Sequence, residues 1–146
     1  TEKDSLDKFL QMGYRMWIND SYWLVMPFKM QDPGVTLQYL GVEEDMNGEA
    51  CDVIELTVSE VGVTPDNKYH VYISPETSFV TQWDYFSKYT DEEPRMSTPW
   101  RGYDQYGEIM LSGDRGQSKI ENIKVYKEVP AKVFDNISKP LEDLNN

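Results

Sequence analysis

Trp17-Ile-Asn-Asp-Ser-Tyr-Trp-Leu-Val-Met-Pro-Phe-Lys29 is the stretch on which the fold turns, because a helical apolar pattern precedes it and strand-like patterns follow it. Before it, Leu6, Phe9, Leu10, Gly13, Met16 and Trp17 fall at i, i+3, i+4, i+7, i+10 and i+11, which is one stripe of a helix. Asp4 or Ser5 can cap that helix, and Asp7 sits well at the positive end of its dipole. The stripe is expected to be buried as core. Asn19-Asp20-Ser21 is expected to end the helix. From Tyr22 to Met30 the alternating sets are Tyr22, Leu24, Met26, Phe28, Met30 and Trp23, Val25, Pro27, Lys29, which predicts a core strand covered on both faces as far as Lys29.

Outward from there the pattern is one of hairpins. Gln31-Asp-Pro-Gly34 is a turn, with Pro33 fixing one φ and Gly34 tolerating a positive one. Strands are expected over Thr36–Glu43 and Cys51–Val61 around the Asn47-Gly48 turn, with Ile54, Leu56 and Val58 on one face and Glu55, Thr57 and Ser59 on a wetter one. After a turn at Gly62–Asn67, Lys68–Ser74 alternates Tyr69, Val71, Ile73 against Lys68, His70, Tyr72. Ser78–Lys88 follows, with Phe79, Trp83 and Tyr85 on one face, and Tyr89–Pro99 reads as a polar, mobile connection. Trp100–Tyr106, Ile109–Ser112 and Lys119–Val129 complete the strands, and the tail from Ala131 is weakly helical. The expected fold is mainly β: a curved antiparallel sheet of seven to eight strands, half-barrel in form, with the N-terminal helix packed on it. The 146 residues read as a single domain.

Composition narrows the function classes. Twenty-six acidic against 14 basic residues give a net charge of -12, which repels phosphate backbones, so nucleic acid is excluded as a partner. Cys51 is the only cysteine, so no intrachain disulfide can form, and it reads as a buried, inert thiol. No run approaches the ~20 apolar residues of a membrane helix.

Candidate chemistry is sparse. His70 is the only histidine and lies on the wetter face of its strand, a surface imidazole far in sequence from Cys51. The carboxylates Glu43-Glu44-Asp45 and Asp91-Glu92-Glu93 sit in expected turns as solvated charge; a glycosidase-like pair among them is the weaker alternative. Their spacing is not that of an EF-hand, and no phosphate loop, nucleophile elbow or dinucleotide fingerprint occurs. No catalytic residue, cofactor or metal site is therefore assigned. The aromatics and methionines supply soft apolar surface. The wall of an apolar ligand face is expected to include Leu24, Met26, Phe28, Leu37, Tyr39, Leu56, Tyr69, Val71, Phe79 and Trp83.

Trp17-x-Asn19-x-x-Tyr22-Trp23-Leu24-x-x-Pro27-Phe28-Lys29, then Asp32-x-Gly34-Val35-x-Leu37-x-Tyr39-x-Gly41 and Gly62-x-x-Pro65-x-x-x-Tyr69, resemble an uncharacterised family of exported bacterial proteins. The architecture of that family is similar to that of the LolA/LolB lipoprotein carriers, and Trp100–Leu111 and Val129-Pro130-x-x-Val133-Phe134 look like the same family. The resemblance implies a periplasmic or outer-membrane-associated, non-enzymatic protein binding a lipid or other apolar small molecule, anchored through a segment before residue 1. It also implies that the chain is the C-terminal part of a longer LolA-like domain. An edge left open by earlier strands then predicts a symmetric homodimer, strengthened by salt. The competing expectations are an interaction subunit with a filled core and, behind it, a carboxylate hydrolase.

Overall fold

The computed structural model of the chain describes residues 2–58, 66–131 and 133. One helix, α1 (Glu2–Lys29), precedes eight strands: β1 (Val35–Glu44), β2 (Ala50–Val58), β3 (Lys68–Ile73), β4 (Val80–Phe86), β5 (Met96–Pro99), β6 (Arg101–Tyr106), β7 (Ile109–Arg115) and β8 (Ser118–Lys119). They form two antiparallel sheets, ordered β1-β2-β3-β4-β5 and β6-β7-β8. The fold is thus mainly β, an open antiparallel arrangement carrying an N-terminal helix.

The helix corrects the opening expectation, because it does not stop at Asn19-Asp20-Ser21 but runs through the stretch expected as strand to Lys29. Tyr22, Trp23, Met26 and Met30 are spaced i, i+1, i+4 and i+8, and all four pack against the main core, Met26 fully buried. A short unbroken apolar run satisfies helical and strand periods alike, and packing decides between them. Ser21 Oγ donates to the Ile18 carbonyl at 2.7 Å, turning its polarity back along the helix rather than out into a turn. Pro27 lies inside α1 and has no N–H, so the Trp23 carbonyl loses its ordinary i+4 donor. Arg115 of β7 replaces it, with Nη2 donating to Trp23 O at 2.6 Å. Lys29 ends the helix, paired with Asp32 at 2.7 Å, and Gly34 takes φ 84° in the turn beyond.

A second correction concerns the other half of α1. Leu6, Phe9, Leu10, Met16 and Trp17, expected as core, stand 58–69% exposed, and residues 3–17 are all exposed. The helix meets the sheets only beyond that segment.

The first sheet carries the core on the face of Leu56, Val71 and Trp83, under α1. Trp83 is the hub of an aromatic cluster, with ring centroids 5.0 Å from Tyr69, 5.4 Å from Trp23 and 5.6 Å from Trp100. The face expected to be wetter is partly buried too, since Cys51, Val53 and Tyr72 form a second cluster. Burial, with Asp84 and Glu43 nearby, raises the Tyr72 hydroxyl above its ordinary range. His70, expected at the surface, is half-buried between Glu55 (3.5 Å) and the Phe86 ring (4.5 Å).

The Asn47-Gly48 hairpin forms as read, closed by the Asp45 side chain, whose Oδ1 accepts the N–H groups of Asn47 (2.8 Å) and Glu49 (3.1 Å). Two strand expectations are corrected. Met96–Pro99, read as loop, pairs with β4 as the sheet edge, with Pro99 at the terminal position that needs no ladder donor. Lys119–Val129, read as strand, pairs only at its start in β8, and residues 120–131 hold no regular structure. The expected Gly62–Asn67 turn and the end of the strand to Val61 fall largely outside the described residues, as does the tail beyond Ala131 except Val133.

Candidate functional site

Where the two sheets meet, a cleft of about 980 Å³ opens between β5, the start of β6, the β7–β8 hairpin and the C-terminal half of α1. Trp23 of α1, Met46 from the β1–β2 turn, Met96 and Pro99 of β5, and Ile120 after β8 form its apolar wall. Arg101, Arg115 and Lys119 supply three cations, and no carboxylate lines it. In a chain with nearly twice as many acids as bases, that is a local reversal of charge.

Arg115 is the pivot and is only 5% exposed. The residue before the turn Gly116-Gln117, it ends β7 facing inward, where its guanidinium lies 3.4 Å from the centre of the Trp100 ring. Nη1 donates to Ser112 Oγ (2.8 Å) and the Asp114 carbonyl (3.0 Å); Nη2 donates to the carbonyls of Ser112 (2.9 Å) and Trp23 (2.6 Å). These acceptors are neutral, and Nε has no partner among the described residues. Burial pushes the guanidinium down to about 10, against the upward pull of Tyr103 and Asp114, so it remains a cation at neutral pH. Tyr103, which donates to the Val80 carbonyl at 3.0 Å, is itself pushed up to about 12 by burial.

Asp114, next to Arg115 in sequence, accepts the Gly116 N–H at 2.7 Å. That bond, and then the charges of Arg101, Lys119 and Arg115, hold its carboxyl below the ordinary value. Arg101 approaches it at 3.7 Å, a half-exposed pair of small energetic weight. The lining itself thus carries three cations and no carboxylate. Ser97, Thr98 and Ser118 add hydroxyls to its lining.

The residues expected to wall a ligand face lie elsewhere. Met26 of α1 meets Leu56, Tyr69, Val71 and Trp83 of the first sheet in the main core. Leu24 is half-buried on α1 and Phe28 exposed; Leu37 and Tyr39 are exposed on the edge strand β1, with the Tyr39 hydroxyl donating to Asp52 at 2.8 Å. Phe79 stacks on Tyr103 at 4.4 Å. None of the ten lines the cleft. What the residue patterns did not expose is the set Arg101, Arg115 and Lys119, because residues 101–119 also hold Asp104, Glu108 and Asp114 and carry no net charge.

No family model matches this chain, and no curated protein or solved structure is significantly similar to it. Among the described residues no helix is long and apolar enough to cross a membrane, and no group of three or more His, Cys, Asp or Glu side chains could hold a metal ion.

Proposed function

We propose that the chain is a non-enzymatic binding protein for an amphipathic anion, such as a fatty acid or an acidic lipid, held in the cleft between the sheets. The observation that carries this reading is a cleft lining with an apolar wall, three cations and no carboxylate. The charged end would rest on Arg101 and Lys119, while the acyl part would run along Trp23, Met46 and Met96, each buried methylene contributing about 0.8 kcal/mol. An extracytoplasmic location belongs to the same proposal.

The test is titration with a fluorescent fatty acid, its methyl ester as control, read by quenching of Trp emission. We expect micromolar binding of the acid and weaker binding of the ester. Arg101→Ala and Lys119→Ala should each weaken the acid about fivefold, the scale of one exposed charge pair. Binding no better than to a lysozyme control, or equal for acid and ester, would overturn the reading. A second reading, an interaction subunit without a small ligand, is favoured by one observation: α1 already fills the apolar face of the first sheet.

A further inference from the structure

We propose that the exposed N-terminal half of α1 pairs, antiparallel, with the same segment of a second copy of this chain. Leu6, Leu10, Gly13 and Trp17 recur at alternating spacings of four and three, the repeat of a two-helix seam, with Phe9 and Met16 along one side. At about 100° per residue this line lies roughly 155° round the helix from the side chains that hold α1 on the sheets. The two faces therefore do not compete.

Three observations favour a second copy. Residues 6–17 are all exposed although they carry large apolar side chains, and Gly13, a weak helix former, has nothing within 4 Å of its would-be Cβ. Two bulky neighbours in the seam, opposed to that notch, supply a reason for a glycine there. The area fits as well. Leu6, Phe9, Leu10, Met16 and Trp17 expose about 700 Å² in all, the upper bound of what the pairing covers, against the ~800 Å² per partner of a standard interface.

Charge then selects the direction. Residues 2–20 carry four acids (Glu2, Asp4, Asp7, Asp20) and three bases (Lys3, Lys8, Arg15), a net of -1, so the other -11 of the chain lies outside them. A parallel pair would set the two acidic bodies side by side. An antiparallel pair, with Leu6 against Trp17 and Leu10 against Gly13 of the copy, sets the bodies at opposite ends, their Met26 docking points about 44 Å apart at ~1.5 Å per residue. That exceeds the ~8 Å Debye length at physiological salt several times over. Helix dipoles also oppose favourably in that arrangement.

Sedimentation equilibrium of the full chain in 0.15 M salt should show a dimer, and Leu10→Glu or Trp17→Glu, both at exposed positions, should weaken it at least about 30-fold, the scale of a central interface side chain. The control Tyr39→Glu, on the open edge of β1, should leave it unchanged. For direction, Gly13→Cys should cross-link the pair under mild oxidation and Leu6→Cys should not, since only the former lies near the two-fold axis. A monomer throughout, a dimer indifferent to both helix variants, a dimer dispersed by Tyr39→Glu, or efficient cross-linking at position 6 would each overturn the proposal.

Discussion

Arg115→Met should cost about 3 kcal/mol, and the reason can be isolated. The substitution removes four hydrogen bonds of 2.6–3.0 Å and leaves the Trp23 carbonyl without a donor in dry surroundings, at about 1–3 kcal/mol. It also relieves the burial of a cation that has no carboxylate in contact, which returns part of the loss. For a chain of this length the net is a fall in Tm of roughly 6–12 °C. The Trp23 share depends on Pro27, because a residue with an N–H at that position would satisfy the same carbonyl from within the helix. Pro27→Ala should therefore be nearly neutral in the wild-type background and recover about 1–2 kcal/mol in the Arg115→Met background. Urea unfolding of the four proteins, followed by Trp fluorescence, closes the cycle. Additivity within about 0.5 kcal/mol would refute the claim that Arg115 stands in for the missing helical donor.

Asp45→Asn should destabilise the first hairpin by about 1–2 kcal/mol, because its neutral amide accepts the Asn47 and Glu49 N–H groups more weakly. Burial raises the Asp45 carboxyl, but those two backbone donors and the side chains of Thr81 and Asn47 outweigh it and bring it below its ordinary 3.8. Stability from this group is therefore complete above that value and lost as the pH falls through the lower folded one. Thermal melts against pH should show the wild-type advantage over Asp45→Asn shrinking at the acid end; an advantage independent of pH contradicts the assignment. Gly113→Ala should cost about 2–3 kcal/mol, since its Cβ would stand 2.6 Å from the Ile120 carbonyl oxygen and force open the 2.8 Å bond from Ile120 N to Gly113 O. Chemical denaturation decides it, and a neutral result would mean the loop gives way freely. His70→Ala and Cys51→Ser should leave fatty-acid affinity unchanged, as neither lines the cleft; loss of binding with the far-UV spectrum preserved would place the ligand elsewhere.

Local chemistry made the hairpins legible. Asn47-Gly48 between alternating runs, and Tyr69, Val71, Ile73 against their polar neighbours, each state a turn or a strand within a few residues, and β1, β2 and β3 form where those signals lie. The helix of residues 22–29 was not legible, because Tyr22–Met30 is apolar at every spacing and only the sheets' position selects one period. Met96-Ser-Thr-Pro99 carries no alternation at all and becomes a strand through pairing with β4. Val125 and Val129 have the residue type for a strand but no neighbour to pair with, and remain exposed. The cleft was hidden for a related reason. Its cations are scattered over β6, the β7 end and β8, and Arg115 becomes recognisable only when Pro27 is known to lie in a helix with an orphaned carbonyl.

The fastening of α1 by Arg115 also orders events in time. Its two ends are 92 residues apart, so closing that loop costs about 4 kcal/mol of chain entropy before the bond returns anything. On a ribosome the helix emerges before the strands, yet the guanidinium that bonds its Trp23 carbonyl follows only after every strand of the first sheet has been made. For that interval the Trp23 carbonyl has only water to bond. Docking of α1 should therefore be a late step governed by completion of the second sheet, and chains ending before residue 115 should show a protease-sensitive helix above an otherwise paired first sheet.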